Sequence, residues 1–186
     1  MIAASHLVFD TALGRCGIAW RGTHVVATCL PEGADASVLA ALSRRAGASA
    51  AGEPPAPVAA GVAAIRRLLA GAAESFGFLE LDLEGVPDFD RRVYAAALAI
   101  PAGETRTYGE VARAIGEPDA ARAVGRALGA NPFPIVVPCH RVLAAGGAIG
   151  GFSAPGGVAT KRRLLAIESA HAPLPLFAAM SAIDGA

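Results

Sequence analysis

Lysine is nearly missing from this chain: position 161 holds the one example among 186 residues, against fifteen arginines. Charge of any kind is scarce, at 17%, and sixteen basic side chains cancel sixteen acidic ones. No bulk field therefore marks the molecule as the partner of a polyanion, and any anion-binding surface must be local. Cysteine is limited to Cys16, Cys29 and Cys139, with no C-x-x-C pair. That spacing encodes neither a disulfide framework nor a zinc ribbon and fits a reducing compartment. Missing too are a basic start leading into an apolar stretch and any apolar run long enough to cross a bilayer. The expectation is a soluble, cytoplasmic protein without a membrane partner.

What is plentiful is core material. Hydrophobic residues make up 54% of the chain, with 22 glycines and 13 prolines as punctuation, enough for one generous domain or two small ones. Splitting the chain at Asp88 separates the charges. Residues 1–88 carry six arginines against nine acids, a net of −3, whereas 89–170 carry nine arginines and Lys161 against six acids, a net of +4. The second segment is the better candidate for facing nucleic acid.

The β-favouring stretches Leu7 to Phe9, Gly17 to Trp20 and Val25 to Leu30 are broken at Leu13-Gly14 and Arg21-Gly22, a pattern that predicts a meander. Ser37 to Arg45 reads as a helix, 47–57 as an Ala/Gly/Pro-rich loop or insert, and Val58 to Ala70 as a second helix. Phe76 to Leu83 reads as one more strand, and Glu84 to Asp88 as the boundary between domains 1–88 and 89–170, with 171–186 a tail.

Beyond Phe89 helices dominate. Val93 to Ile100 stops before Pro101. Thr107-Tyr108-Gly109-Glu110 is a capping box that opens a helix reaching Ile115 and ending at Gly116. Pro118-Asp119 is expected to start the next helix after a short turn, a helix-turn-helix arrangement. On that helix Ala121, Val124 and Leu128 share one face, and Arg122, Gly125, Arg126 and Gly129 the other. Two arginines interleaved with glycines form a charged, flat face open to close approach.

Asn131 to Arg141 follows, with apolar Ile135 to Val137 bracketed by prolines just before Pro138-Cys139-His140-Arg141. This places Cys139 at the end of a stiff, buried segment. A thiol attacks as thiolate, so it needs a base or a positive charge, and His140 and Arg141 offer both. The last helix, from Val158 to about Ala170, puts Lys161, Leu164, Leu165 and Glu168 on one side. A carboxylate on an apolar face wants a buried partner, and Cys139, His140 and Glu168 then follow the logic of nucleophile, base and orienting acid. Taken alone, an adjacent Cys-His pair serves packing or chemistry.

The run from Ile100 to Glu168 resembles the O6-alkylguanine-DNA alkyltransferases (methylated-DNA-protein cysteine methyltransferases). Ile-Pro-x-Gly-Glu-Thr, Thr-Tyr-Gly-Glu-Val-Ala, Ala-Ala-Arg-Ala-Val-Gly, Asn-Pro, Pro-Cys-His-Arg-Val, Gly-Gly-Phe-Ser and Lys-x-x-Leu-Leu-x-x-Glu occur in family order and spacing. The resemblance implies an α+β protein: a small ribonuclease-H-like α/β N-terminal domain, then a mainly helical, winged helix-turn-helix-like C-terminal domain. It implies direct reversal of DNA damage, with Cys139 taking one alkyl group from O6 of guanine and no cofactor. His140 would deprotonate Cys139 through a bridging water, Glu168 would orient His140, and Asn131 would fix the active-site segment. Tyr108 and Ser153 would donate hydrogen bonds to the guanine, and Val142, Gly151 and Phe152 would line the base pocket. Arg122 would fill the gap left by a flipped nucleotide, with Ala121, Gly125 and Arg126 also against the minor groove of double-stranded DNA. The expected state is a monomer.

Departures from the family pattern are local. Phe152 stands where many relatives have Tyr, and 154–157 extend the following loop. Cys16, His24 and Cys29 do not reproduce the zinc ligands of some relatives, so no metal is expected. A non-catalytic lesion sensor of the alkyltransferase-like type lacks the acceptor cysteine, which this chain has. A cysteine hydrolase would leave the arginine helix unexplained.

Overall fold

The computed structural model describes residues 3–48 and 50–169; Ala170 and the tail 171–186 lie outside them. The architecture is α+β. Three strands, β1 (Ser5–Thr11), β2 (Gly14–Arg21) and β3 (His24–Cys29), form the expected antiparallel meander. A two-residue strand, β4 (Ala50–Ala51), pairs in parallel with β1, so the sheet order is β3-β2-β1-β4. The stretch expected as a loop or insert thus contributes a short edge, because β1 would otherwise expose its unpaired groups.

Alternation along β2 sets the layers. Cys16, Ile18 and Trp20 face one apolar cluster and Ala19 the other. Helix α1 (Asp35–Ala46) covers the second face through Val38, Ala41 and Leu42 and closes at Gly47, whose φ of 62° is left-handed. Gly17 is what lets α1 lie close, since a Cβ there would meet Val38 Cγ1 at 2.6 Å. Helix α2 (Ala56–Leu69) covers the first face through Val58, Val62, Ile65 and Leu68.

The strand expected over 76–83 is not formed. Leu81 makes a single parallel bridge to Val25, while the Leu79 amide turns back to the Phe76 carbonyl at 3.0 Å. The turn drops both Phe76 and Leu79 into the core, Leu79 against Gly61, which an extended strand would not do.

Helix α3 (Asp88–Leu98) begins inside the expected boundary segment, five residues before the expected start, with Asp88 and Asp90 favouring its N-terminal turn. Val93, Tyr94 and Ala97 are buried, and the Tyr94 hydroxyl donates to the Ala127 carbonyl at 3.1 Å. Strand β5 (Arg106–Thr107) leads into α4 (Tyr108–Ala114) through the expected capping box, with Gly116 in a left-handed turn after it. Helix α5 (Ala121–Gly129) begins at Ala121, not at Pro118-Asp119, which instead form the turn between the two helices. Strand β6 (Val142–Leu143) pairs in parallel with β5, and α6 (Gly157–Ser169) returns Lys161, Leu164 and Glu168 to the interior. A single apolar cluster runs from Phe9 and Ile18 through Val93 and Val124 to Val137 and Leu164. No helix among the described residues is long and apolar enough to cross a membrane.

Candidate active site

The segment 131–141 owes its shape to its own polar groups. Asn131 is 8% exposed; its Oδ1 accepts from the Phe133 amide at 2.8 Å and its Nδ2 donates to the Val137 carbonyl at 3.0 Å. One side chain thereby ties both ends of a turn containing Ile135, whose φ of 76° is a rare conformation for a β-branched residue. After this turn Cys139, His140 and Arg141 form a single 3-10 turn, all buried.

Cys139 reaches the floor of a cavity of about 850 Å3. Its walls come from both helices of the helix-turn-helix pair and from the loop before α6: Tyr108 and Arg113, Ala121, Arg122 and Gly125, then Gly151, Phe152 and Ser153. Ala121, expected on the inner face with Val124 and Leu128, is half-buried and lines this cavity. Val142 does not line it. It is fully buried in β6, where pairing with β5 and packing against α4 enclose it.

Behind the thiol lies a sealed polar cluster. His140, fully buried, faces Glu168 with Nε2 2.9 Å from Oε1. The carboxylate can only accept, so Nε2 carries the proton and Nδ1 keeps its lone pair. Nδ1 is buried with no hydrogen-bond partner among the described residues, a base without its proton. Burial holds His140 below the ordinary histidine range, against the opposing pull of Glu168. Burial also pushes Glu168 up, but hydrogen bonds from His140 and Arg141 and their charges outweigh it and bring the carboxyl to about 2.

Sequence reasoning offered Arg141 as a charge for the thiol. Its guanidinium instead grips Glu168, Nε to Oε2 and Nη2 to Oε1 at 2.8 Å each, while Nη1 donates to the Ile100 carbonyl at 2.6 Å. The cation that acts on Cys139 is the chain's one lysine. Lys161 is 1% exposed, its Nζ donates to the Val142 carbonyl at 2.6 Å, and it stands 5.8 Å from the Tyr108 ring centre and 5.9 Å from that of Phe152. Burial raises the Cys139 thiol above its usual range, and the Asn131 hydrogen bond and the Lys161 charge pull it back in part. Burial likewise raises Tyr108, with the Cys139 charge adding to it, so its hydroxyl remains a donor. The Ser153 hydroxyl, expected to point at a substrate, donates to the Gly129 carbonyl at 2.9 Å.

Arg113, Arg122 and Arg126 are exposed and form no hydrogen bond or ion pair among the described residues. Arg113 was missed in the sequence because it lies on α4, outside the arginine-glycine face of α5; its side chain reaches the same cavity mouth. Among the described residues no group of three or more His, Cys, Asp or Glu side chains could hold a metal ion. Cys16 and Cys29 belong to separate apolar clusters.

A family model described as 6-O-methylguanine DNA methyltransferase, DNA binding domain, matches residues 88–170. Over 120 residues the chain is 50% identical to a methylated-DNA--protein-cysteine methyltransferase of Mycolicibacterium paratuberculosis, an alignment covering 59% of this chain and 71% of that relative. It is 55% identical over 98 residues to the protein of that name from Mycobacterium tuberculosis, which takes in 53% of this chain and 58% of the relative, little over half its length. Mycobacterium tuberculosis OGT in complex with DNA superposes with a TM-score of 0.71 at 38% identity, covering 91% of this chain and 95% of the other. The O6-methylguanine-DNA methyltransferase of Pyrococcus kodakaraensis gives 0.64 at 31% identity, covering 89% and 98%. Identity at this level in sequence, joined to one architecture shared along nine-tenths of the chain, makes this protein a member of the methylated-DNA--protein-cysteine methyltransferase family.

Proposed function

We propose that the protein repairs DNA by direct reversal, moving an alkyl group from O6 of a flipped guanine onto Cys139 in a single turnover. The observation that carries this reading is the placement of Cys139 at the floor of a cavity whose mouth is the unpaired arginine face, with the His140-Glu168 pair sealed behind it. An alkyl carbon on O6 is stacked inside the duplex and must rotate out to be reached. The small side chains of Ala121, Gly125 and Gly129 suit close approach to a minor groove, and Arg122 suits the vacancy left in the stack. The Mycobacterium tuberculosis OGT, a relative crystallised in complex with DNA, supports the same partner.

Sγ of Cys139 bonds to the alkyl carbon as the C–O6 bond breaks, and the electron pair of that bond leaves with the guanine, whose N1 then takes up a proton from solvent in place of the one given up by the thiol. The thiol proton passes to Nδ1 of His140, through a bridging water, and Glu168 stabilises the imidazolium that forms. Lys161 offsets the charge of the thiolate. Tyr108 donates a hydrogen bond to the departing base, and Ser153 does so once released from Gly129. Asn131 holds the segment, and Gly151 and Phe152 wall the base. The product is a thioether, so each molecule acts once and no cofactor takes part.

On this reading residues 1–88 form a ribonuclease-H-like domain and 89–170 a winged helix-turn-helix DNA-binding and alkyltransferase domain, acting as a monomer. Three free cysteines suit the cytoplasm. The test is a duplex carrying one O6-methylguanine, followed by weighing the Cys139 peptide. One methyl per protein supports transfer. Tight lesion binding with an unmodified peptide would instead make the protein a sensor. Cys139→Ala should bind the lesion and transfer nothing.

A further inference from the structure

Strand β3 lies at the edge of the sheet, so alternate residues turn their backbone groups away from β2. Such an edge is normally blunted or covered. Here the cover at Thr28 is the nucleophile segment itself: the Thr28 amide donates to the Pro132 carbonyl at 2.9 Å, and the Thr28 hydroxyl to the Pro134 carbonyl at 2.6 Å. Thr28 is 1% exposed, and its own carbonyl is held by Arg45 Nη1 at 3.0 Å. The anchor is thus tied from α1 as well as from the sheet.

The second of these bonds has leverage. A peptide unit is planar, so fixing the direction of the Pro134 carbonyl fixes the plane that contains the Ile135 nitrogen. That plane is the reference against which the φ of Ile135 is set, and Ile135 is the one non-glycine residue at positive φ among those described. A β-branched residue holds such a conformation only where its surroundings over-determine it. Four residues further on lies Cys139, with the Val137 carbonyl between them tied to Asn131.

We propose that Thr28, in the N-terminal segment, is a positioning residue for Cys139: its hydroxyl holds the Pro134-Ile135 peptide in the turn that delivers the thiol to the cavity floor. The inference rests on the alkyl-transfer reading for its rate assay but not for its thiol assay. Displacement of an attacking atom by a fraction of an ångström lowers rate without touching the DNA-binding face.

The test compares Thr28→Val, which keeps the shape and loses the donor, with Thr28→Ser, which restores the donor. Three readouts are taken: single-turnover methyl transfer from an O6-methylguanine duplex, affinity for that duplex, and the rate at which iodoacetamide modifies the Cys139 peptide. Thr28→Val should transfer about tenfold more slowly at unchanged affinity, with an altered Cys139 alkylation rate, and Thr28→Ser should return both rates to within about twofold of the parent. Equal transfer by Thr28→Val and the parent, or a Thr28→Ser variant as slow as Thr28→Val, overturns the proposal. Should the parent transfer no methyl group, the repair reading fails while the alkylation comparison still decides the role of Thr28. If Thr28→Val does not fold, amide exchange on the parent decides. Val137 protected as strongly as Thr28 supports the coupling, and Val137 opening independently refutes it.

Discussion

Arg141 and His140, neighbours in the chain, end on the same carboxylate: Glu168 Oε1 lies 2.8 Å from Arg141 Nη2 and 2.9 Å from His140 Nε2. The carboxylate that faces His140 is itself held from the other side, and the Arg141 guanidinium balances its charge. The carboxylate therefore stays ionised whatever the protonation of His140.

Glu168→Gln should be costly for that reason. It leaves Arg141 buried opposite a neutral amide, and breaking a buried pair from one side costs about 3–5 kcal/mol. Urea unfolding of the variant at neutral pH should show a loss of this order, together with slowed transfer. A stable variant would mean that Arg141 finds water.

Acid should act in two stages. His140 is held neutral below its ordinary 6.5, so the unfolded chain binds the extra proton first and stability falls as pH drops below 6.5. Glu168 is depressed from 4.5 to about 2, so its contribution is complete above 4.5 and is lost as pH falls toward 2. That second contribution is about 3 kcal/mol by the size of the shift. Unfolding free energy measured from pH 8 downward should decline through both windows, and His140→Asn should remove the first and shrink the second, because His140 is one of the two groups that hold Glu168 down.

Lys161→Met keeps the length of the side chain and deletes the charge beside Cys139. The thiol then rises further, and modification of the Cys139 peptide by iodoacetamide at pH 7.5 should slow by about threefold to tenfold. An unchanged rate would assign Lys161 to packing against Tyr108 and Phe152.

Arg113→Ala and Arg126→Ala should each weaken duplex binding and lower the slope of log affinity against log salt by about 1. Reaction with free O6-benzylguanine should not change. Arg122→Ala should slow duplex repair more than it slows reaction with the free base, because only the duplex demands flipping. Equal slowing in both assays would remove Arg122 from the stack.

What could be read from the sequence was what is local or periodic. The Thr107-Glu110 capping box is a four-residue pattern, and helical spacing was enough to turn Glu168 inward toward His140. Arg141 was misassigned because its partner lies 27 positions away and only the fold brings them together. The strand expected over 76–83 failed because a turn buries both Phe76 and Leu79, the latter against Gly61, where a ladder would not. β4 was hidden because Ala50 and Ala51 carry no strand propensity, and the open edge of β1 recruits them. The family resemblance implies Val142 as a pocket residue, yet in β6, paired with β5, it is fully buried in the core. Nothing in Pro-Ile-Val-Val announces a left-handed isoleucine.

The Thr28 contacts with residues 132 and 134 also order events in time. Contacts that span more than a hundred residues form late, since the intervening chain must first be gathered in. Synthesis delivers the meander long before residue 132 leaves the ribosome, so the sheet edge stands ready as a template when the cysteine segment emerges.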